Sequence, residues 1–195
     1  MNQNKSVYVM SLHGWTGDKH SLKILKYLLP NKKIIWEFPE APYKAKKGGH
    51  SWFKGNKKQG WENNQSLSLL ENLIVKKHKK GIKHQNIFVL GFSQGGCMAL
   101  ELIKKQNFSL GGVITIGGFI RDKNTFSKDI TIQSKRTPVM IIHGKRDEII
   151  DPKESDIIEN LLKSQGFKTN LKKFSCGHKI PIEAKDSILS FLLGN

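Results

Sequence analysis

This chain contains a series of short runs with the composition of buried strands, and these runs limit the folds that it can adopt. The three runs between residues 87 and 143 contain no aspartate, glutamate, lysine or arginine, which is typical of strands buried on both faces of a sheet. Segments with helical spacing separate the runs. The six predicted strands are 6–12, 33–38, 87–90, 112–116, 138–143 and 169–174.

Start and stop signals mark the predicted helices. Leucines at helical spacing precede Pro30, while Asn64 and Gly81 are of the residue types that begin and end helices. Asp151 before Pro152 is a further start signal, with the aspartate as the N-cap. The predicted helices are 21–29, 64–80, 96–105, 152–164 and a terminal helix opened by Pro181 that carries Ile182, Ile188, Phe191 and Leu192.

Strands that alternate with helices predict a compact α/β domain, residues 1–195, with helices on both faces of a mostly parallel sheet. Six strands are expected, and a seventh is left open. The glycine-rich stretch 40–62 is predicted to be a long loop, and residues 115–136 leave little room for a separate lid domain. Ligands of such sheets bind beyond the carboxyl ends of the strands, so the loops there are the expected site.

Membrane and disulfide signals are absent from the sequence. No run approaches the ~20 consecutive apolar residues of a membrane-spanning helix, and the first residues do not have the pattern of a signal peptide. Cys97 and Cys176 lack the paired spacing of a zinc site or a disulfide framework. We therefore expect a cytoplasmic protein with reduced thiols.

The formal charge of +17 is the most unusual bulk property of the chain. Such a charge attracts nucleic acid and other anionic surfaces, but the basic clusters are dispersed, and only three of the 33 basic residues of the chain are arginine. The clusters also lack the aromatic interleaving of a nucleic-acid module. The excess of Lys, Asn and Ile favours a compositional bias of the source genome. We expect no nucleic-acid partner, and peripheral contact with anionic surfaces stays open.

Residues 91–95 read Gly-Phe-Ser-Gln-Gly and match the pattern G-x-S-x-G between a predicted strand and a predicted helix. A serine at such a sharp turn needs a strained backbone, and the flanking glycines let strand and helix approach closely. The hydroxyl of Ser93 then lies at a helix amino terminus, where the helix dipole favours a developing oxyanion. The pattern predicts that Ser93 is a nucleophile.

A nucleophilic serine needs a base and an acid that orients the base, expected in the chain order Ser, acid, His. Among seven histidines, His178 follows the last strand at the correct edge of the sheet. Asp147 follows the preceding strand by a short loop and is the predicted acid. Asp151 is the competing acid, although its role as a helix cap already accounts for it. His143 is interpreted as a structural histidine at a strand end.

Two backbone amides are expected to stabilise the oxyanion. One belongs to Gln94, the residue after the nucleophile, and the other comes from the loop after the first strand. In that loop we expect the amide of Trp15 to be the donor and His13 to shape the loop by hydrogen bonding. Trp52 and Phe119 are candidate substrate contacts.

Across nearly its whole length the chain resembles the phospholipase/carboxylesterase family of α/β-hydrolases, which includes the acyl-protein thioesterases. By this resemblance Ser93, Asp147 and His178 form the triad. The chain departs from the family at Trp15, where leucine is common, and at Lys54, where aspartate is common. The likeness rests on Leu12-His13-Gly14, Pro39-Glu40-Ala41-Pro42, Ser51-Trp52-Phe53, Gly91-Phe92-Ser93-Gln94-Gly95-Gly96, His143-Gly144-Lys145-Arg146-Asp147 and Gly177-His178.

The predicted reaction is hydrolysis of a small-molecule acyl ester or thioester through an acyl-enzyme on Ser93, with no metal or cofactor. A lysophospholipase or peptidase acting at the same site is an alternative within hydrolases. A non-catalytic binding protein on a hydrolase scaffold is the alternative from another class. The acyl length, the leaving group and the choice between monomer and homodimer stay open.

Overall fold

The computed structural model describes residues 6–56 and 58–194. Its strands include the six predicted ones and four shorter strands between residues 43 and 62. In chain order the strands are β1 (Val7–Leu12), β2 (Ile34–Glu37), β3 (Tyr43–Lys44), β4 (His50–Ser51), β5 (Lys54–Asn56), β6 (Gly60–Glu62), β7 (Ile87–Phe92), β8 (Gly112–Ile116), β9 (Val139–Gly144) and β10 (Thr169–Phe174). The helices are α1 (Leu25–Leu28), α2 (Asn64–Lys79), α3 (Gln94–Lys104), α4 (Lys153–Ser164) and α5 (Lys185–Leu193).

Six strands form one parallel sheet in the order β10-β9-β8-β7-β1-β2, as the sequence predicts. The register aligns their carboxyl ends at one edge, since Leu12 pairs with Gly91 and Phe92 pairs with Ile116. Phe174 likewise pairs with Gly144. The loops that follow these strands therefore meet at that edge, where the site was expected.

The hydrophobic core has two layers, one on each face of the sheet. Alternate residues of β1 enter opposite layers, with Tyr8 and Met10 in one and Val7 and Val9 in the other, as the two-residue period of a strand requires. Buried side chains of α2, α3 and α4 pack in the first layer, and those of α1 and α5 pack in the second. The helices therefore cover both faces, and the predicted fold class is confirmed.

The helix predicted over 21–29 is shorter in the structure, where α1 spans Leu25–Leu28 and turns precede it. The Asp18 carboxylate accepts hydrogen bonds from the amides of His20 and Ser21 at 2.8 and 2.9 Å. These bonds give the backbone an alternative to helix. The leucine spacing nevertheless predicted burial correctly, because Leu22 and Leu25 both lie in the core.

Other helix boundaries also need correction. Asn64 is the first residue of α2 rather than its cap, and Asn63 at the cap position makes no side-chain capping bond. The helix after Ser93, α3, begins at Gln94, two residues before the predicted start. The terminal segment opens with a 3₁₀ turn, and Ile182 in it is 69% exposed instead of joining the apolar face.

The stretch 40–62 is not the plain loop that the sequence predicts. It holds two antiparallel hairpins, β3 with β4 and β5 with β6. These strands are two or three residues long, too short to show a two-residue hydrophobic period. Gly55 and Gly60 adopt left-handed φ angles of +114° and +82° in the second hairpin.

The region between β8 and β9 contains short 3₁₀ turns at Phe126–Asp129 and Ser134–Arg136. The described residues include no separate lid domain, in agreement with the prediction for this region. Among residues 6–56 and 58–194, no helix has both the length and the apolar character that are needed to cross a membrane.

Candidate active site

Ser93 occupies the sharp turn between β7 and α3. Its backbone has φ +53° and ψ −118°, a conformation that is costly for a residue other than glycine. The Ser93 amide donates a hydrogen bond of 2.8 Å to the carbonyl of Ile116 on the neighbouring strand β8. The turn is thus fixed to the sheet, and the strained backbone predicted from the sequence is present.

The glycines around Ser93 permit the close approach of strand and helix. A Cβ atom on Gly95 would lie 2.1 Å from the Leu12 carbonyl oxygen of β1, and one on Gly91 would lie 2.2 Å from the Gly95 carbonyl oxygen. Gly96 faces Thr115, whose hydroxyl would be 2.5 Å from an added Cβ. All three distances are far below van der Waals contact, so a side chain at any of these positions would displace neighbouring atoms.

Asp147 and His178, chosen as acid and base from the sequence, are brought together by the loops after β9 and β10. His178 Nδ1 lies 2.7 Å from Asp147 Oδ2. The other carboxylate oxygen, Oδ1, accepts hydrogen bonds from the amides of Ile149 and Ile150 at 3.0 and 2.9 Å. The ring of His178 also packs on Phe92, beside Ser93, with the centroids 4.8 Å apart.

Two opposing effects act on the pKa of Asp147. Burial raises the pKa, while the hydrogen bonds from the Ile150 amide, His178 and the Ile149 amide lower it. The net result is a pKa below the ordinary value for aspartate. The carboxylate is therefore ionised at neutral pH and suited to accept the N–H of a histidine.

His143 is a second histidine beside Asp147. Its Nε2 atom lies 3.0 Å from the Ile150 carbonyl oxygen and 3.3 Å from Asp147 Oδ2, and its side chain is fully buried. The structural role predicted for His143 is consistent with these contacts. Its place against the carboxylate was missed, because residues 144–147 leave a strand through a turn, where a spacing of four residues does not indicate contact.

Asp151, the competing acid, lies two residues before α4, and Pro152 occupies the cap position that was predicted for Asp151. Its Oδ1 atom accepts a hydrogen bond of 2.9 Å from the amide of Lys153, a bond typical of a helix start. The side chain is exposed. Of the two aspartates, Asp147 is the one within hydrogen-bond distance of His178.

The two predicted oxyanion donors lie next to Ser93. Gln94 is the first residue of α3, where a backbone N–H has no partner within the helix. The loop after β1 passes beside Ser93, since a Cβ on Gly14 would lie 3.5 Å from the Ser93 Cβ. Trp15 follows in that loop, and Trp15, Ser93 and Gln94 line the same cavity.

His13 has the loop-shaping contacts expected of it. Its Nδ1 atom lies 2.7 Å from the Gly14 carbonyl oxygen, and its Nε2 atom accepts a hydrogen bond of 3.1 Å from the Ala41 amide. These contacts correspond to a neutral ring that is protonated on Nδ1. Burial lowers the pKa of His13, which agrees with that form.

Trp52 is not in the cleft, so its assignment as a substrate contact is wrong. Its side chain is fully buried, and its indole N–H donates a hydrogen bond of 2.8 Å to the His13 carbonyl. The Trp52 amide donates to the side-chain oxygen of Gln94 at 2.9 Å, and Ser51 also bonds that side chain. The Gln94 side chain therefore ties residues 51 and 52 to the serine turn, a role for which the sequence contains no signal.

The cleft at Ser93 has a volume of about 520 Å³. Phe119, a candidate substrate contact, lines it together with Phe53, Trp61 and Ile150. Arg121 also lines the cleft and was missed, because a single arginine in a loop carries no recognisable pattern.

As regards metals, residues 6–56 and 58–194 contain no group of three or more His, Cys, Asp or Glu side chains placed to hold an ion.

The parallel sheet, the strained serine turn and the adjacent Asp–His pair are the features of an α/β-hydrolase. The family model described as Phospholipase/Carboxylesterase matches residues 2–193. The chain therefore belongs to the phospholipase/carboxylesterase family, a family of carboxylic ester hydrolases, and the resemblance found in the sequence is confirmed.

Individual relatives agree with this assignment. Acyl-protein thioesterase 1 of Gibberella zeae is 26% identical over 92% of this chain and 83% of its own length. A relative in Oryza sativa subsp. japonica, 28% identical over 60% of this chain and 48% of its own, is named a probable inactive carboxylesterase. The crystal structure of Arabidopsis thaliana SOBER1 aligns with a TM-score of 0.86 at 20% identity, covering 96% of this chain and 97% of that one, which supports the fold.

Proposed function

We propose that this protein hydrolyses carboxylic esters or thioesters of small molecules through an acyl-enzyme on Ser93. The observation that carries the proposal is the 2.7 Å contact between His178 Nδ1 and Asp147 Oδ2, on loops that meet the Ser93 turn at one sheet edge. This contact leaves Nε2 of His178 available as a base, because the proton resides on Nδ1.

In the first half of the reaction His178 takes the proton of Ser93 as Oγ attacks the carbonyl carbon. The oxyanion is stabilised by the backbone amides of Trp15 and Gln94. His178 then donates the proton to the leaving alcohol or thiol, and the acyl group stays on Ser93. Water repeats the sequence in the second half, which releases the acid and restores the serine.

The surroundings of the site support this reaction. Asp147 holds one tautomer of His178 and stabilises the imidazolium that forms. Residues 117–138 contribute loops and short turns above the sheet edge, which favours an open cleft. Cys97 and Cys176 are free, which suits a reducing compartment, and we place the reaction in the cytoplasm.

The test is covalent labelling with a fluorophosphonate, combined with hydrolysis of p-nitrophenyl butyrate. We expect the label on Ser93, and Ser93→Ala lowers kcat at least about 10³-fold. Ser164→Ala, which removes an exposed hydroxyl at the end of α4, serves as the matched control and keeps full activity. Absence of both labelling and turnover in the parent protein would favour the non-catalytic binding protein instead.

A further inference from the structure

Arg121 is a half-buried cation in the cleft that also contains Ser93. Its guanidinium carbon lies 4.2 Å from the ring centroids of both Phe53 and Trp61, and 5.5 Å from that of Phe119. These aromatic rings belong to three separate segments of the chain. Such cation–π contacts hold the guanidinium in one place and offset part of the cost of removing it from water.

Among the described residues the guanidinium forms no salt bridge, so it has no anionic partner. Its buried Nε atom also has no hydrogen-bond partner there. The charge of Glu101 acts on Arg121, but that carboxylate is bonded to Lys104 at 2.8 Å. The thiol of Cys97 also interacts with the guanidinium. Burial raises the pKa of this thiol to about 12, so it is neutral and a weak acceptor.

The rest of the cleft is also positively charged. Lys44, Lys46 and Lys54 line it together with Arg121, and no aspartate or glutamate is among its described lining residues. Such a cluster in a concave site raises the local concentration of anions. The three lysine residues are exposed, so they attract an anion but do not fix its position as a held guanidinium does.

We propose that Arg121 binds an anionic group of the substrate, a carboxylate or a phosphate, so that the preferred substrates carry a negative charge in addition to the ester or thioester bond. This inference rests on the proposed function of Ser93. The planar guanidinium offers paired N–H donors that match either oxyanion. A cleft of about 520 Å³ is within the size range of small-molecule sites.

The test compares kcat/KM for mono-p-nitrophenyl glutarate, which is anionic, with kcat/KM for neutral p-nitrophenyl butyrate. Arg121→Met lowers the ratio of the two values by about 10- to 100-fold, because hydrogen bonds to charged groups contribute about 1.5–3 kcal/mol. Arg121→Lys, which keeps the charge and loses the paired donors, gives an intermediate ratio. Lys79→Met removes one exposed charge on α2, and with this control the ratio is unchanged.

Glutarate and glycerol 3-phosphate, tested as inhibitors of butyrate ester hydrolysis, separate the two anion types. Inhibition that is lost in Arg121→Met supports the proposal, and the stronger inhibitor identifies carboxylate or phosphate. An unchanged substrate ratio in Arg121→Met, together with a lower free energy of unfolding, would overturn it and leave Arg121 as a packing residue for the aromatic rings.

Binding of glutarate to the Ser93→Ala variant, measured by calorimetry, separates this inference from the proposed function. Glutarate binding that depends on Arg121 supports the anion site even if the parent protein hydrolyses no ester. Ester hydrolysis without any glutarate binding overturns the anion site and leaves the function of Ser93 intact.

Discussion

The two sides of the cleft are built in different ways. Ser93, Asp147 and His178 follow strands of the parallel sheet, whose carboxyl ends are in register. The opposite side, residues 43–62, consists of two hairpins with largely exposed strands and left-handed glycines. The proposed catalytic residues therefore lie directly after strands of the sheet, whereas the other side of the cleft is a segment that is held by individual contacts.

A few specific bonds join the two sides. The Thr16 amide donates to the His50 carbonyl at 2.9 Å, and the His50 amide donates to the Gly17 carbonyl at 3.0 Å. A Cβ on Gly49 would lie 2.0 Å from the Thr16 carbonyl oxygen, so the backbones touch there. The loop expected to hold the oxyanion is thus supported by the hairpin segment, and a change in that segment can reach the reaction.

The largest effect is expected at the sheet side. Asp147→Asn lowers kcat about 10⁴-fold, because an asparagine favours the wrong tautomer of His178. Asp151→Asn is the matched control. It stays within about twofold of the parent, since the side-chain oxygen of asparagine can still accept the hydrogen bond from the Lys153 amide. Steady-state kinetics on p-nitrophenyl butyrate measures both, and equal losses in the two variants would remove Asp147 from the triad.

The next largest effect is on the free energy of unfolding, and it is tested with one glycine from each side of the cleft. Gly95→Ala lowers the free energy of unfolding by about 3 kcal/mol, because its Cβ meets the Leu12 carbonyl oxygen. Gly60→Ala in the hairpin meets no atom within 4 Å, so only its left-handed backbone costs energy, about 1–2 kcal/mol. Urea unfolding measures both values. A larger loss for Gly60→Ala would contradict the expectation that the sheet side tolerates an added Cβ atom less well than the hairpin side.

The smallest effect concerns the two tryptophans of the hairpin segment. Trp52→Phe leaves the His13 carbonyl without its 2.8 Å donor and lowers the free energy of unfolding by about 2 kcal/mol. Trp61→Phe, at an exposed ring lining the cleft, raises KM with little loss of stability. Kinetics and urea unfolding distinguish the two patterns. A raised KM with unchanged stability in Trp52→Phe would restore Trp52 as a substrate contact.

The sequence was most informative where local pattern and sheet geometry coincide. The serine turn follows from the G-x-S-x-G pattern between a strand and a helix. The placement of Asp147 and His178 at the same edge follows from the alternation of strands and helices, because parallel strands bring their carboxyl ends together. It was less informative for α1, where the Asp18 turn competes with helix. It was wrong about Trp52, because burial of an aromatic ring depends on which segments fold over it.

The family, the parallel sheet and the expected positions of Ser93, Asp147 and His178 could all be predicted from the sequence, since short motifs and apolar runs are local signals. The folded chain was needed to find the His143 contact with Asp147, the bond from Trp52 to His13 and the aromatic cluster around Arg121. These contacts join residues through chain folding and side-chain packing, and no spacing in the sequence encodes them. The shape and charge of the cleft therefore depend on the folded chain.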